Sequence, residues 1–348
     1  MSKQFKTIRL CHVSLARGYR GGERQALFTI SESTKKNRFF TLAITRKNNK
    51  LNQLVGLLAK VSNLGVTNLL QGHFSKTISK VSLIHAHDGK AVYWAFIHKL
   101  LFNTPYIITR RVDHDLNDRL LTRLAYRKAA KVVAISTAIK KSLESFGLKK
   151  IPVIPSCSDF FPEEVKSKPF DPTDIKLFMA GALVDHHKGQ SIAIKALAKL
   201  PREYSLTIYG DGPDKEKLDK LISDLSLNQR VKIMPWEHDF NKLNGIFDGF
   251  LMPSLHEGLG SILIDIMRLR IPVIASKVGG IPDLVKNNET GYLISCNNIE
   301  ELAKKIELCL VDPNLELIVN NAYERSLSLT PDKMFQQYLK VYEKALKQ

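Results

Sequence analysis

The sequence has few of the features that mark secreted or membrane-spanning proteins. Its first ten residues contain no apolar core of a signal peptide. No apolar run approaches the roughly 18 residues that a membrane-spanning helix needs. The four cysteines are far apart and form neither a CxxC pair nor a zinc-ligand spacing: Cys11, Cys157, Cys296 and Cys309. These absences predict a cytoplasmic protein with reduced, buried thiols rather than a disulfide scaffold.

Acidic residues are scarce in the first half of the chain. Residues 1–160 contain 28 Lys and Arg against 8 Asp and Glu, whereas residues 161–348 contain 24 against 26. The net charge of +18 therefore comes from the first half. This half is expected to meet nucleic acid, an anionic membrane surface or a phosphorylated substrate, although a merely solvated basic surface would give the same charge. Because aromatic residues are not interleaved with the basic ones and no binding motif is present there, nucleic acid is the least favoured partner.

The length of 348 residues suits two globular domains. Short apolar runs alternate with amphipathic stretches from Ile8 onward, which is typical of α/β domains with doubly wound parallel sheets. Ligands of such sheets bind at the carboxyl ends of the strands. Three prolines between residues 160 and 172 interrupt the pattern and predict a linker. The sequence thus predicts domains at 1–160 and 161–330, with a ligand cleft between them.

One segment, residues 253–267, combines a predicted strand end at Met252, a turn with glycines and a helix start near Gly260. Free amides at a helix start bind anions, and glycines let the backbone approach a ligand closely. Glu257 and Asp265 can then face one cavity from its two ends and accept hydrogen bonds from sugar hydroxyls. The alternative is a helix-terminal acid and a solvated acid, but Asp265 lies in a helix that is apolar nearly all round and therefore needs a partner.

The stretch from Glu257 to Asp265 resembles the Glu-x7-Glu element of the family 4 glycosyltransferases of GT-B fold, with the second acid shortened to Asp. Similar segments lie at residues 21–24, 181–189, 208–213, 271–285 and 289–294. The resemblance implies two Rossmann-like domains facing across a cleft, with the last helix, 331–348, packed back on the first domain. It also implies a retaining, metal-independent transferase that needs no cofactor, because its nucleotide-sugar is a substrate. The motifs are similar to those of enzymes that assemble bacterial lipopolysaccharide core or other surface glycans, which suggests work at the inner face of the plasma membrane.

The resemblance assigns a donor site as well. By it, Glu257 contacts the donor sugar, Asp265 contacts the ribose of a UDP-, GDP- or ADP-linked donor, and Lys188 neutralises the diphosphate. Fixed donors of this kind stabilise a developing charge without a metal. The other implied members are glycine-loop and turn residues and a tryptophan near the base: Gly21, Gly22, Gly210, Trp236, Gly258, Leu259, Gly260 and Ser261. For Trp236, ordinary packing is an equal alternative.

The chain departs from the family pattern beside Lys188. Ala182 stands where the family often has an arginine. A hydrogen bond from such an arginine to a charged group would contribute about 1.5–3 kcal/mol to binding. Arg110 and Arg111, at the end of a predicted strand of the first domain, are the candidates to replace that cation.

A second departure concerns the acceptor side. Many members carry a catalytic histidine where this chain has Arg111, and His114 follows three residues later. His87 lies at the end of another predicted strand. Arg111, His87 and His114 are therefore catalytic candidates beside Glu257, although single histidines are more often structural.

Basic residues recur every four positions after residue 118, namely Arg119, Arg123, Arg127 and Lys131. This spacing predicts a cationic stripe on one helix. The stripe could face an anionic membrane beside the acceptor site, or it could belong to a solvated helix on the first sheet.

Other functions remain open from the sequence. A nucleotide-sugar epimerase or a phosphorylase could have the same fold, and a transferase-like protein lacking the family's arginine could only bind its ligand. A basic nucleic-acid-binding protein is the alternative from another class.

Overall fold

A computed structural model of the chain describes residues 7–166 and 169–347. Residues 1–6, which belong to the segment in which no signal peptide is predicted, lie outside the described residues, as do positions 167, 168 and 348. The chain divides into two compact units. The first consists of the residues up to Cys157 and from Thr330 onward, and the second is Ser158–Leu329. These divisions lie within three residues of the boundaries expected at 160/161 and 330/331.

The first unit is built on a six-stranded sheet whose paired strands are all parallel. Its strands are β1 (Ile8–Ser14), β2 (Phe39–Arg46), β3 (Val61–Val66), β4 (Leu83–Ala86), β5 (Tyr106–Arg110) and β6 (Lys131–Ala134). Its first five helices are α1 (Gly21–Thr34), α2 (Lys50–Gly56), α3 (Gly89–Phe102), α4 (Leu120–Arg127) and α5 (Thr137–Ser145). A single turn of 3-10 helix, Ile78–Lys80, precedes β4.

Local sequence fixes where these helices begin and end. Asp88 caps α3, since its carboxylate accepts from the amides of Lys90 and Ala91. Asn103 ends α3 in the left-handed conformation, with φ 55°. Ser136 caps α5 in the same manner as Asp88 caps α3, through the amide of Ile139.

The strand order of this sheet is β3-β2-β1-β4-β5-β6. The direction of winding changes between β1 and β4, so their carboxyl ends flank a crevice of the kind in which doubly wound sheets bind ligands. β1 ends at Ser14 and β4 ends at Ala86, directly before His87 and Asp88. Two of the predicted acceptor-side candidates, His87 and Arg111, directly follow β4 and β5 at the carboxyl edge of this sheet.

The second unit repeats the plan with strand order β12-β11-β10-β7-β8-β9, again entirely parallel. Its strands are β7 (Ile175–Ala180), β8 (Tyr204–Tyr209), β9 (Val231–Met234), β10 (Gly249–Met252), β11 (Val273–Ser276) and β12 (Tyr292–Ile294). Its helices are α6 (Asp185–Lys188), α7 (Gln190–Leu197), α8 (Lys215–Asp224), α9 (Ile262–Arg268), α10 (Ile281–Leu284), α11 (Ile299–Leu310) and α12 (Leu315–Leu327). A 3-10 turn, Phe240–Leu243, precedes β10. Winding changes between β7 and β10, which places the loops after Ala180 and Met252 side by side.

The last helix, α13 (Pro331–Leu346), belongs to the first unit, as the sequence led us to expect. Its buried face joins the core formed by β1, β2, β4, β5 and β6. Within it, Tyr338 and Tyr342 are fully buried and reach Thr109 and His85 with their hydroxyls. No helix among residues 7–166 and 169–347 has the length and apolar character needed to cross a bilayer.

The two parallel α/β sheets confirm the predicted fold class, and three local features differ from the description that the sequence suggested. The edge strands β3 and β12 were not predicted. The stretch 160–172, predicted as the interdomain linker, falls at the start of the second unit, where the amides of Glu163 and Lys166 donate to the side chains of Asn241 and Asn244. Cys296 is exposed, whereas the other cysteines are buried as expected.

Candidate functional site

Lys188 and Glu257 meet at the carboxyl edge of the second sheet. Nζ of Lys188 lies 2.5 Å from Oε2 of Glu257, and the two side chains are 29% and 15% exposed. Lys188 is the last residue of α6, after β7, and Glu257 lies in the loop after β10. The two residues that were predicted to handle the diphosphate and the donor sugar are therefore in direct contact, although 69 positions separate them.

Backbone contacts hold this pair in place. The amides of Leu255 and His256 donate to the carbonyl of His187 at 2.9 and 3.2 Å. Gly189 is left-handed (φ 68°), and a Cβ there would lie 2.1 Å from the carbonyl oxygen of Pro253. The loop after β10 can therefore dock on the end of α6 only because residue 189 has no side chain.

A second close approach fixes Glu257 itself. The carbonyl of Glu257 accepts from the amide of Gly280 at 3.1 Å. A Cβ on Gly279 (φ 52°) would lie only 1.7 Å from that carbonyl oxygen. The turn between β11 and α10 thus fixes the backbone that carries the Glu257 side chain.

Two further glycines shape the surface beside Lys188. Cε of Lys188 lies 3.8 Å from the place that a Cβ on residue 181 would occupy. A Cβ on Gly210 (φ 159°) would lie 1.9 Å from the carbonyl oxygen of Gly181. Gly210, which was predicted as a donor-site residue, therefore lets the loops after β7 and β8 touch.

The turn after Glu257 differs in detail from the prediction. Gly260 is left-handed (φ 81°), Ser261 occupies the N-cap, and α9 begins at Ile262, two residues after Gly260. Asp265 is only 1% exposed, unlike Glu257. The two carboxylates therefore do not face one cavity equally: Glu257 reaches the surface, and Asp265 is enclosed within α9.

Trp236 follows β9 and is partly buried. Its ring packs edge-on against Phe240, with centroids 5.9 Å apart, and its amide lies 3.4 Å from a carboxylate oxygen of Asp211. This packing agrees with the alternative interpretation from the sequence, and stacking on a nucleotide base stays a prediction.

In the first unit, Arg111 contacts a group of buried histidines at the ends of β1 and β4. Nη2 of Arg111 lies 3.2 Å from Nδ1 of His87, and Nε2 of His87 lies 3.0 Å from Nδ1 of His12. Gly22, near the start of α1, is close to Arg111: a Cβ there would lie 3.6 Å from its Cδ. Gly21 is the first residue of the same helix. Of the predicted residues, Gly22, His87 and Arg111 are thus brought together.

Burial keeps these imidazoles neutral. It lowers the pKa of His12 to about 3. It also lowers the pKa of His87 and His85 well below the usual value, and the charge of Arg111 acts in the same direction. Near Arg111, burial raises the pKa of Glu23. Asp88 accepts from the amides of Leu15 and Ala16.

The three histidines His12, His85 and His87 have ring nitrogens within 4.8 Å of one another, the spacing of a metal site. However, both ring nitrogens of His85 are hydrogen-bonded, at 2.8 Å, to Tyr342 and Thr109. The guanidinium of Arg111 also lies against His87. Because a cation would have to displace one of the good hydrogen bonds of His85 and sit beside a positive charge, this set does not fit a metal ion.

The remaining acceptor-side candidate lies elsewhere in the loop after β5. His114 is exposed, and its carbonyl accepts from Nη2 of Arg110 at 2.5 Å. The two consecutive arginines therefore point to different partners, with Arg110 engaged by the loop and Arg111 by His87.

The predicted cationic stripe on one helix is wrong. Only Arg123 and Arg127 lie within α4; Arg119 is its N-cap, and Lys131 begins β6. Arg123 is moreover paired with Asp118. The four-residue spacing continues past the end of the helix, where it no longer corresponds to a helix face. The three leucines of α4 are exposed instead: Leu120 at 73%, Leu121 at 54% and Leu124 at 39%.

Sequence reasoning missed His12, which lies within β1 and joins His87 across 75 positions. It also gave Gly279 no specific role. The only sequence signal for His12 is a histidine near the end of an apolar strand that leads to a glycine loop.

Known proteins share sequence and fold with this chain. Residues 160–325 match the family described as glycosyl transferases group 1. The chain is 30% identical over 144 residues to a lipopolysaccharide core biosynthesis glycosyltransferase, LpsE, of Rhizobium meliloti, covering 41% of this chain and 42% of that protein. It thus spans less than half of that relative. It is 27% identical over 253 residues, 70% of this chain and 69% of the relative, to an undecaprenol-linked-glycan alpha-1,4-N-acetyl-D-galactosaminyltransferase of Campylobacter jejuni.

Solved structures share the fold. The HepE protein of Anabaena, in complex with UDP and glucose, superposes with a TM-score of 0.80 at 21% identity, covering 97% of this chain and 99% of HepE. The lipopolysaccharide outer core galactosyltransferase WaaB superposes with a TM-score of 0.75 at 18% identity, covering 97% and 100%. The predicted GT-B architecture is thereby confirmed.

Proposed function

We propose that this chain, whose residues 160–325 match the family described as glycosyl transferases group 1, moves a sugar from a nucleotide-sugar donor to a glycan or lipid-linked acceptor. The observation that carries the proposal is the contact between Lys188 and Glu257 at the carboxyl edge of the second sheet. A cation next to a partly exposed carboxylate suits a ligand that joins a diphosphate to a sugar.

The reaction we propose is retaining and independent of metal ions. The bond from the anomeric carbon to the diphosphate oxygen breaks, and the leaving diphosphate gains negative charge. A bond from the acceptor hydroxyl oxygen forms on the same face of that carbon, and the hydroxyl proton passes to the leaving diphosphate. Lys188 would stabilise the negative charge of that diphosphate, and Arg111 would bind an anionic group of the substrates. Fixed, preoriented donors are effective because they need no reorganisation as the charge develops.

The acceptor is proposed to be a component of lipopolysaccharide or another surface glycan. This follows from the LpsE and Campylobacter relatives, whose names specify lipopolysaccharide core and an undecaprenol-linked glycan. A lipid-linked acceptor would place the protein at the inner face of the plasma membrane. The basic first half of the chain is suited to such an anionic surface.

A panel of UDP-, GDP- and ADP-sugars, each offered with and without a lipid-linked glycan, tests this function. We expect one donor class to raise the melting temperature, and its sugar to appear on the acceptor with the anomeric configuration kept in the NMR spectrum. Conversion of the sugar nucleotide without an acceptor would instead establish an epimerase. Tight, salt-dependent binding of nucleic acid with no turnover would favour the other class.

Two variants sharpen the assignment of the donor site. Glu257→Gln keeps the size of the side chain but loses its charge, and we expect turnover to fall at least about a hundredfold with the fold intact. Asp219→Asn, at an exposed carboxylate of the same unit paired with Lys215, is the control. Turnover near the normal value in Glu257→Gln would refute the site.

Chelation tests the proposed metal independence. Turnover is expected to survive EDTA, because the charge stabilisers are side chains and backbone amides. Loss of turnover that Mg²⁺ or Mn²⁺ restores would contradict this mechanism.

A further inference from the structure

We propose that His87 and His12 are positioning residues that orient the guanidinium of Arg111, and that His87 is not itself the acid or base of the reaction. The proposal rests on the proposed function only in giving Arg111 an anionic ligand. Its basis is the sequence of contacts from Arg111 to His87 and from His87 to His12.

The hydrogen bonds from Arg111 to His87 and from His87 to His12 can run in only one direction. A guanidinium can only donate, so Nδ1 of His87, 3.2 Å from Nη2 of Arg111, must accept. A neutral His87 then carries its proton on Nε2 and donates it to Nδ1 of His12, 3.0 Å away. His12 in turn must carry its proton on Nε2, an atom that is buried and has no hydrogen-bond partner among the described residues. Both tautomers are thus determined by Arg111.

This direction of the hydrogen bonds also stabilises the positive charge of Arg111. Each imidazole turns its unprotonated nitrogen, the negative end of its dipole, toward Arg111. Burial lowers the pKa of both histidines, so neither places a second positive charge beside the guanidinium. Arg111 is therefore held in a partly buried position by two neutral groups that leave its charge intact.

This arrangement also removes His87 from acid–base chemistry. Its only lone pair faces a guanidinium, and its proton faces His12. A general base needs a free lone pair within hydrogen-bond reach of its substrate. The catalytic role considered for His87 from the sequence is thereby replaced by a supporting role for Arg111.

The first test uses the unmodified full chain with ¹⁵N-labelled histidine. Imidazole NMR at neutral pH is expected to show both His12 and His87 as neutral Nε2–H tautomers, assigned through His12→Gln and His87→Gln. In Arg111→Ala the guanidinium is gone, and the pKa of His87 should rise. A His87 that is protonated on Nδ1, or on both nitrogens, would overturn the proposal. This readout needs no substrate, so it stays decisive even if no nucleotide-sugar is turned over and the proposed function fails.

The second test is a double-mutant cycle measured with the donor that gives the highest turnover in the panel. Arg111→Ala is expected to lower kcat/KM about a hundredfold, and His87→Leu about tenfold or more. If His87 acts only through Arg111, the double variant loses no more than Arg111→Ala alone. His87→Gln, which keeps an acceptor for Arg111, should recover most of the loss seen in His87→Leu. Independent, multiplying losses, together with a pH–rate limb that disappears in His87→Gln, would make His87 an acid or base and refute the positioning role.

Discussion

At the scale of single residues, the candidate donor site of the second unit depends on glycines as much as on charged side chains. Gly189 and Gly279 admit the carbonyls of Pro253 and Glu257 where a Cβ would overlap them. The charged pair Lys188–Glu257 is thus placed by backbone that only glycine allows.

We therefore expect Gly279→Ala to disturb Glu257 although it changes no charged group. The new Cβ would lie 1.7 Å from the carbonyl oxygen of Glu257, in a backbone conformation with φ 52°. The second unit should lose about 2 kcal/mol or more of unfolding free energy, and donor turnover should fall with it. Urea unfolding and a donor assay measure the two effects. Gly56→Ala, where a Cβ meets nothing within 4 Å, is the control, and equal behaviour of the two variants would contradict the argument.

Single residues also show what sequence can and cannot predict about a site. Lys188 and Glu257 could be predicted because each lies in a local motif after a strand of a recognisable sheet. His12 could not, because its meaning depends on His87, 75 residues away, and on a guanidinium that only the folded sheet brings near. Asp265 was recognised as a buried acid, but its exclusion from the surface follows from packing, which no motif records.

At the scale of elements, α9 ends in an arginine with an unusual role. Arg268 is fully buried. It donates to the carbonyls of Ser158 and Phe160, at 3.0 and 2.5 Å, and of Ser326 and Leu329, at 3.0 and 3.1 Å. These carbonyls belong to the segments by which the chain enters and leaves the second unit. One side chain thus ties both segments to the helix that carries Asp265.

Removing this arginine should destabilise the second unit. Arg268→Met keeps much of the volume but leaves buried carbonyls without donors, and we expect a loss of about 3 kcal/mol. Urea unfolding followed by Trp236 fluorescence, in a Trp94→Phe background, reports on this unit alone. Arg270→Met is the control, because Arg270 is exposed. A loss in Arg268→Met no larger than in Arg270→Met would show that the four hydrogen bonds contribute little.

The exposed face of α4 gives the second prediction at this scale. It combines three exposed leucines with arginines near both ends, so binding to anionic vesicles should contain an apolar part as well as an electrostatic one. Reversing Arg119 and Arg127 to Glu should weaken binding at low salt, and Leu120→Ser with Leu124→Ser should weaken the part that persists in high salt. Vesicle co-sedimentation measures both effects.

The control for this prediction reverses two exposed lysines of the second unit, Lys220 and Lys232, to Glu. The same change of net charge is made there on the other unit. If it weakens vesicle binding as much as the change on α4, overall charge and not α4 governs the contact.

The residue pattern of a segment predicts some of its secondary structure but not all of it. Most core strands were predictable because they are short apolar runs bounded by turns. The edge strand β3 was not, since VSNLGV is half polar and has a strand's shape only through pairing with β2. The supposed stripe failed for the opposite reason: a four-residue period continued across the end of α4 into β6, and spacing alone cannot show where a helix stops.

At the scale of the whole molecule, the two units differ in how acid should affect them. Every buried histidine among the described residues lies in the first unit: His12, His73, His85, His87 and His98. Burial lowers the pKa of each, and for His85 and His87 the charge of Arg111 lowers it further. The described histidines of the second unit are all at least partly exposed.

The sign of the effect follows from linkage. A histidine whose pKa is lower in the folded state binds protons first in the unfolded chain, so stability falls as the pH drops below about 6.5. The loss continues down to the folded pKa, which is about 3 for His12. At about pH 5.5, His12, His85 and His87 should together cost about 4 kcal/mol. Glu23 acts in the opposite direction because its pKa is raised, but one carboxyl group does not offset three imidazoles.

We therefore expect the first unit to unfold before the second when the protein is moved from about pH 7.5 to about pH 5.5. The chain has two tryptophans, Trp94 in the first unit and Trp236 in the second, so single-tryptophan variants follow each unit separately. The urea midpoint reported by Trp94 should shift downward strongly, while that reported by Trp236 should change little. His238→Gln, at an exposed position of the second unit, should alter neither midpoint. Parallel shifts of both midpoints would mean that the units unfold together or that acid acts through groups they share, and the three imidazoles would then not be the acid-sensitive part of the molecule.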